Sequence, residues 1–185
     1  DKIKEGIIKG MYLLKPGENS KLRVQLLASG PMVNEVIEAG KLLKLDWGID
    51  SDIWSVTSFS ELHREAEDKK RWNTLHPDKE DEPSYIGSSL KSINGPVIAV
   101  SDYVKLVAEQ IAPYIECPFV ALGTDGFGRS ETRKELRTFF EVNRYYIALN
   151  AMESLRSLDL VKHSDVKKVI TTYNLDTEKP NPIKV

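Results

Sequence analysis

The sequence predicts a three-layer α/β/α domain built on a mainly parallel sheet. Short apolar runs of strand length alternate with longer stretches of helical periodicity. One run, Pro96-Val-Ile-Ala-Val100, is apolar without a break, the pattern of a strand covered on both faces. Another, Phe119-Val-Ala-Leu122, leads into a glycine-spaced loop. Ser130 or Thr132 can then cap a helix with Glu135 in its first turn, which completes a strand–turn–helix unit.

The elements follow in order. Ile7 to Leu14, mixed in polarity and stopped by Lys15-Pro16-Gly17, reads as an edge strand. Val24 to Ala28 is a second strand. Ser29-Gly-Pro31 then opens a helix, with Pro31 where a missing N–H costs little and Val33, Val36, Ile37 and Leu43 as its apolar face. Asp52 to Thr57 is a third strand. From Phe59 to Asn94 the pattern weakens: Glu61 to Lys70 fits a polar surface helix, Trp72 to Pro77 an ordered loop, and Asp78 to Glu82 a solvated charge run. After the Pro96–Val100 strand, Ser101 or Asp102 caps a helix with Val104, Val107, Ala108 and Ile111 on one stripe. The helix beyond the glycine loop runs to about Phe140. Ile147, Ala151, Leu155 and Leu158 place another over Asn143 to Leu158, packed on the sheet. Ser164 caps a last helix with Val166, Val169, Ile170 and Tyr173 inward, and Lys179 to Pro182 is a tail. With no repeat, low-complexity tract or linker, residues 1–185 are expected to form a single domain.

A chain of 185 residues buries roughly 70% of its unfolded surface, so it needs no covalent staple. Its 26 basic and 28 acidic residues are interspersed and leave a formal net charge of −2, a balance that argues against nucleic acid or an anionic membrane as partner. One cysteine, Cys117, rules out an intrachain disulfide and a cysteine-built metal site, and points to a reducing, cytoplasmic setting. No run of about 18 apolar residues offers a membrane span. The sequence opens on Asp1 rather than methionine, from which a piece of a longer protein is expected.

Residues able to carry chemistry are few. Gly123, Gly126 and Gly128 reverse the order of the dinucleotide fingerprint and follow the last strand instead of the first. Arg129 and Arg133 beside a helix start suit an anion or nucleotide, and the same loop suits a subunit contact. Asp125-Gly126 and Asn150 have about the spacing of the magnesium motif of thiamin-diphosphate enzymes. Thr124 replaces its first glycine, however, and Asn150 lies mid-helix, where octahedral oxygen ligation is hard to complete. His63, His76 and His163 lack metal-ligand spacing; His76 is read as fixing its loop by hydrogen bonds, and Cys117 as a packed thiol. No G-x-S-x-G is present.

Taken together, Glu5-Gly-Ile-Ile-Lys-Gly10, Gln25-Leu-Leu-Ala-Ser-Gly30, Trp54-Ser-Val-Thr-Ser-Phe59, Arg71-Trp-Asn-Thr-Leu-His-Pro77, Ser101-Asp-Tyr103 and Leu122-Gly-Thr-Asp-Gly-Phe-Gly-Arg-Ser130 form a pattern. From about Ile3 to Val185 it resembles the carboxyl-terminal domain of the homodimeric bacterial pyruvate dehydrogenase family, the thiamin-diphosphate-dependent decarboxylases of pyruvate dehydrogenase complexes. The resemblance implies a five-stranded mixed sheet with an antiparallel first strand, of the transketolase carboxyl-terminal type. It implies a parent enzyme that decarboxylates pyruvate on thiamin diphosphate and magnesium and reductively acetylates the lipoyl group of an acetyltransferase component. In that family the cofactor lies between the amino-terminal and middle domains of a dimer, so no catalytic, cofactor or metal residue is carried over to this chain. The domain is expected to be a non-catalytic structural and dimer-contact module. Its expected partners are the remaining domains of the same chain and a second subunit, met through Gly123, Asp125, Gly126, Gly128, Arg129, Ser130 and Arg133 and through the segment holding Trp72 and His76. A regulatory anion or nucleotide at the glycine loop is the alternative.

Overall fold

A computed structural model describes residues 2–18, 21–91 and 95–185. Helix α1 (Lys2–Lys9) precedes β1 (Met11–Lys15), and β2 (Arg23–Ser29) leads through a single 3-10 turn, Gly30–Met32, into α2 (Val33–Trp47) and β3 (Asp50–Val56). Next come α3 (Phe59–Leu75), α4 (Tyr85–Lys91), β4 (Val97–Val100), α5 (Leu106–Glu109), a 3-10 turn at Ala112–Tyr114, and β5 (Phe119–Leu122). The chain closes with α6 (Arg133–Phe139), α7 (Arg144–Ser157), α8 (His163–Thr172) and a 3-10 turn at Pro182–Lys184.

The strands form one five-stranded sheet in the order β1-β3-β2-β4-β5. β3, β2, β4 and β5 run parallel and β1 pairs antiparallel with β3, Met11 opposite Val56. Alternation along the strands splits the core in two. Val24, Leu26, Ala28, Ile53, Ile98 and Val100 face α2, α7 and α8, while Leu27, Trp54, Val56, Val97 and Ala99 face α3, α4 and α5. Buried polar side chains tie β2 to β3 on the second face: Asp52 accepts from Gln25 Nε2 at 2.8 Å and Arg23 at 2.6 Å, and Gln25 accepts from Trp54 Nε1 at 2.8 Å. No helix among the described residues is long and apolar enough to cross a membrane.

The expected sheet stands, and four local readings are corrected. Ile7 to Lys9 end α1 and do not belong to the edge strand, which starts at Met11. Gly10, at φ +104°, makes the corner, because an added Cβ would sit 2.7 Å from the Ser58 carbonyl oxygen. A helix of two turns shows too little periodicity to be told from a strand. Trp72 to Leu75 are the last turn of α3 and not a loop. That helix is capped by Ser58 Oγ accepting from Glu61 N–H, and it buries Phe59, Leu62 and Ala66 despite its polar composition. Ser101 and Asp102 cap nothing: α5 is only four residues long and Val104 is exposed. The chain is diverted into bonds with the neighbouring loop, Thr124 N–H to the Tyr103 carbonyl at 2.8 Å and Lys105 N–H to Asp125 at 3.2 Å. Finally, α8 starts after Lys162 and not Ser164, with Asp165 reaching back to accept the Lys162 N–H at 3.1 Å. α4, with Ile86 and Leu90 buried, fills part of the stretch where no element was expected.

Candidate interface at the carboxyl edge of the sheet

The chain leaves β2 toward β3 on one side, whereas β4 leads to β5 on the other. Their carboxyl ends therefore bound the crevice where connections diverge, the usual position of a site in an open α/β sheet. A groove of about 460 Å³ lies there, with Pro31 and Met32 after β2, Asp102 after β4, and Thr124, Gly126, Gly128 and Arg129 after β5. Leu136, Phe140 and Val142 line it with apolar surface; Glu131, Arg133 and Arg137 add charge.

The glycine loop is held by its neighbours. Gly123 presses against the 103–105 backbone, where a Cβ would meet Lys105 N and the Tyr103 oxygen at 2.6 Å. The Thr124 hydroxyl donates to the Asp102 carbonyl, and Gly126, at φ +114°, lets the closing tail approach, with the Pro182 oxygen where a Cβ would clash with it. Gly128, by contrast, meets nothing within 4 Å. Arg129 lies over the Phe139 ring at 4.0 Å, and Thr132, not Ser130, caps α6 by accepting from Glu135 N–H at 3.3 Å. Bonding between these loops leaves Tyr103, Leu106 and Phe127 exposed at 66%, 70% and 81%.

Below the groove sits a buried carboxylate that sequence reasoning missed. Glu35, in the first turn of α2, accepts from Arg137 at 2.8 Å and from Arg144 through its backbone N–H at 2.9 Å and its guanidinium at 3.0 Å. One residue thus pins the starts of α2 and α7 to α6. Burial by itself raises the Glu35 pKa, but the Arg144 hydrogen bonds and the charges of Arg144 and Arg137 outweigh it and hold the carboxyl below its usual range. The signal was present: Glu35 shares a stripe with Ala39 and Leu43, and an acidic residue within an apolar stripe needs a partner.

This arrangement does not favour an anion. Arg137 is committed to Glu35, Arg129 to the Phe139 ring, and Asp102 and Glu131 share the rim with Arg133. Nor do Asp125 and Asn150 fit magnesium. The Asp125 carboxylate accepts from Lys105 N–H, and the Asn150 amide donates to the Tyr146 carbonyl within its own helix at 2.8 Å. Among the described residues no group of three or more His, Cys, Asp or Glu is placed to hold a metal. Trp72 and His76 are not brought to the loop, because α3 starts beside the carboxyl end of β3 and carries them about 20 Å down its length. They stack on each other at 4.4 Å, and His76 Nδ1 lies 2.8 Å from the Trp72 carbonyl oxygen, which fixes the end of the helix. Burial pushes the Cys117 thiol up, away from the thiolate.

Residues 10–143 match the family described as the transketolase-like TK C-terminal domain. The pyruvate dehydrogenase E1 component of Cupriavidus necator is 50% identical over 99% of this chain and 21% of its own length. The E1 component of Pseudomonas aeruginosa is 48% identical over 97% of the chain, and that of Escherichia coli K12 42% identical over 96%. The chain thus spans about a fifth of the length of these relatives. Among solved structures, a split gene transketolase described as an inactive beta4 tetramer superposes at TM-score 0.56 with 17% identity, over 79% of this chain and 42% of its own. Leishmania mexicana transketolase does so at TM-score 0.53 with 19% identity, over 83% of this chain and 19% of its own. At such identities the structures show the fold.

Proposed function

The chain belongs to the family of transketolase-like carboxyl-terminal domains, and from that premise we propose that it is a non-catalytic packing and dimer-contact domain of a pyruvate dehydrogenase E1 component. Identity of 42–50% over nearly the whole chain to proteins of that name carries the reading. The use of polar groups supports it: Thr124, Asp125, Glu35, Arg137 and Arg144 serve internal bonds, so the loop region presents a surface and not a reaction centre. The exposed rings of Tyr103 and Phe127, with Arg129 and Arg133 in the groove at the same edge of the sheet, have the composition of a protein interface, and the Gly123–Arg133 loop would meet the rest of the enzyme there. The assembled enzyme would be a cytoplasmic homodimer that decarboxylates pyruvate on thiamin diphosphate and magnesium held outside this chain and reductively acetylates the lipoyl group of an acetyltransferase component. The test is direct. The chain alone, given pyruvate, thiamin diphosphate, magnesium and an artificial electron acceptor, is expected to show no turnover; clear turnover overturns the proposal.

A further inference from the structure

Helix α1 is built unlike the others. Its sequence, Lys-Ile-Lys-Glu-Gly-Ile-Ile-Lys, holds three isoleucines, yet Ile3, Ile7 and Ile8 are 59%, 48% and 69% exposed and only Gly6 is buried. Gly6 lies against the Met11 carbonyl and Tyr12, where a Cβ would come within 2.7 Å of both, so the helix rests on β1 by its backbone. Ile3 and Ile7, one turn apart, form an apolar stripe beside that contact that the described residues leave largely exposed. Eight residues are too few for a helix to be stable in water by propensity, and the exposed i,i+4 ion pair of Glu5 with Lys9 adds little to it. The helix also falls outside the family domain, whose match starts at residue 10, while the relatives match over 99% and 97% of the chain and are about five times as long. α1 thus lies before the residues that match the family domain, as α7 and α8 lie after them, and within the span that the longer relatives match.

We propose that α1 is a docking helix whose Ile3–Ile7 stripe is covered by the polypeptide that, in a full-length chain, leads into it. This deepens the reading of the chain as one domain of a longer enzyme and rests on it. A connected segment is favoured over a separate partner because tethering gives it a high effective concentration at the helix, which lets a small stripe of two isoleucines suffice. Gly10, at φ +104°, fixes the corner between α1 and β1, with its carbonyl accepting from the Thr57 and Ser58 N–H groups, so the stripe is presented in one direction.

The experiment uses the full-length protein, with the photo-crosslinking residue benzoylphenylalanine in place of Ile3 or Ile7 and mixed light and heavy isotope-labelled subunits. Crosslinks within one chain, to residues that precede α1, are expected. Crosslinks only between subunits, or none, overturn the inference. In the Ile3→Lys/Ile7→Lys variant, amide exchange of α1 should rise by about tenfold or more, the factor set by losing even one buried isoleucine; an unchanged rate also overturns it. Pyruvate-dependent acceptor reduction by the unmodified full-length protein is measured separately. Its absence would sink the enzymatic reading while leaving the crosslinks to judge the docking.

Discussion

The two faces of the sheet are covered in different ways. On the first, α2 and α7 are long helices that lay Val36, Ala39 and Leu43, and Ile147, Ala151 and Leu155, onto Leu26, Ile98 and Val100. On the second, α3 is mostly polar, α4 and α5 are short, and the core is drawn from scattered residues such as Phe59, Leu62, Ile86 and Ile111. The first face is one apolar seam repeated at helical spacing. The second is assembled from pieces that meet only in the fold. Burial on the two faces is equally complete at Ile147 and Leu62, so what differs is how many neighbours depend on each element.

The widest separation between the faces should come from core truncation. Ile147→Ala is expected to cost about 3–5 kcal/mol and Leu62→Ala about 2–3 kcal/mol, since the short helices α4 and α5 that share its cluster can relax into the space left behind. Urea unfolding of each variant measures this, and equal losses would break the comparison.

Glu35→Ala comes next, at about 2–4 kcal/mol, below the full cost of opening a buried pair because Arg144 remains partly exposed. It also carries a pH signature. The folded pKa of Glu35 lies below its unfolded value near 4.5, so its stabilisation is present above that pH and is lost as pH falls through the folded pKa. Glu35→Gln should flatten the acid limb of the stability profile below about pH 4.5. An unchanged limb would mean that the first face is not clamped through this carboxylate.

Gly126→Ala should cost about 1–3 kcal/mol, through its positive φ and the clash with the Pro182 carbonyl, and should free the tail to limited proteolysis. A tail as resistant as before would count against its role in setting the loop. The smallest contrast lies in the caps. Asn143 accepts from both Tyr145 and Tyr146 N–H groups at the start of α7, whereas Ser58 accepts from Glu61 alone at the start of α3. Asn143→Ala is expected to cost about 1–2 kcal/mol and Ser58→Ala about 1 kcal/mol, read from thermal unfolding.

Legibility in the sequence followed the same division. The first face could be read because α2, α7 and α8 repeat apolar residues over several turns, and β2, β4 and β5 are apolar runs of strand length. Residues 59–91 hid α4 and blurred the end of α3, because a helix that buries only Phe59, Leu62 and Ala66 shows little amphipathic contrast. At the carboxyl edge the glycines announced a loop, and Gly123 and Gly126 do permit close approach. Which backbone approaches them, and which groups use up the arginines, depends on residues distant in sequence: Asp102, Lys105 and Pro182 for the loop, and Glu35 for Arg137 and Arg144.

Local spacing was enough to determine the α/β alternation and the position of each strand to within a few residues, because strand length, helical period and turn chemistry act between near neighbours in the chain. The tertiary structure decided the length of α5, the place of Glu35 beneath the groove, and the exposed isoleucines of α1. Each of those turns on how distant parts of the chain pack, or fail to pack, on one another, and no short-range pattern encodes such an outcome.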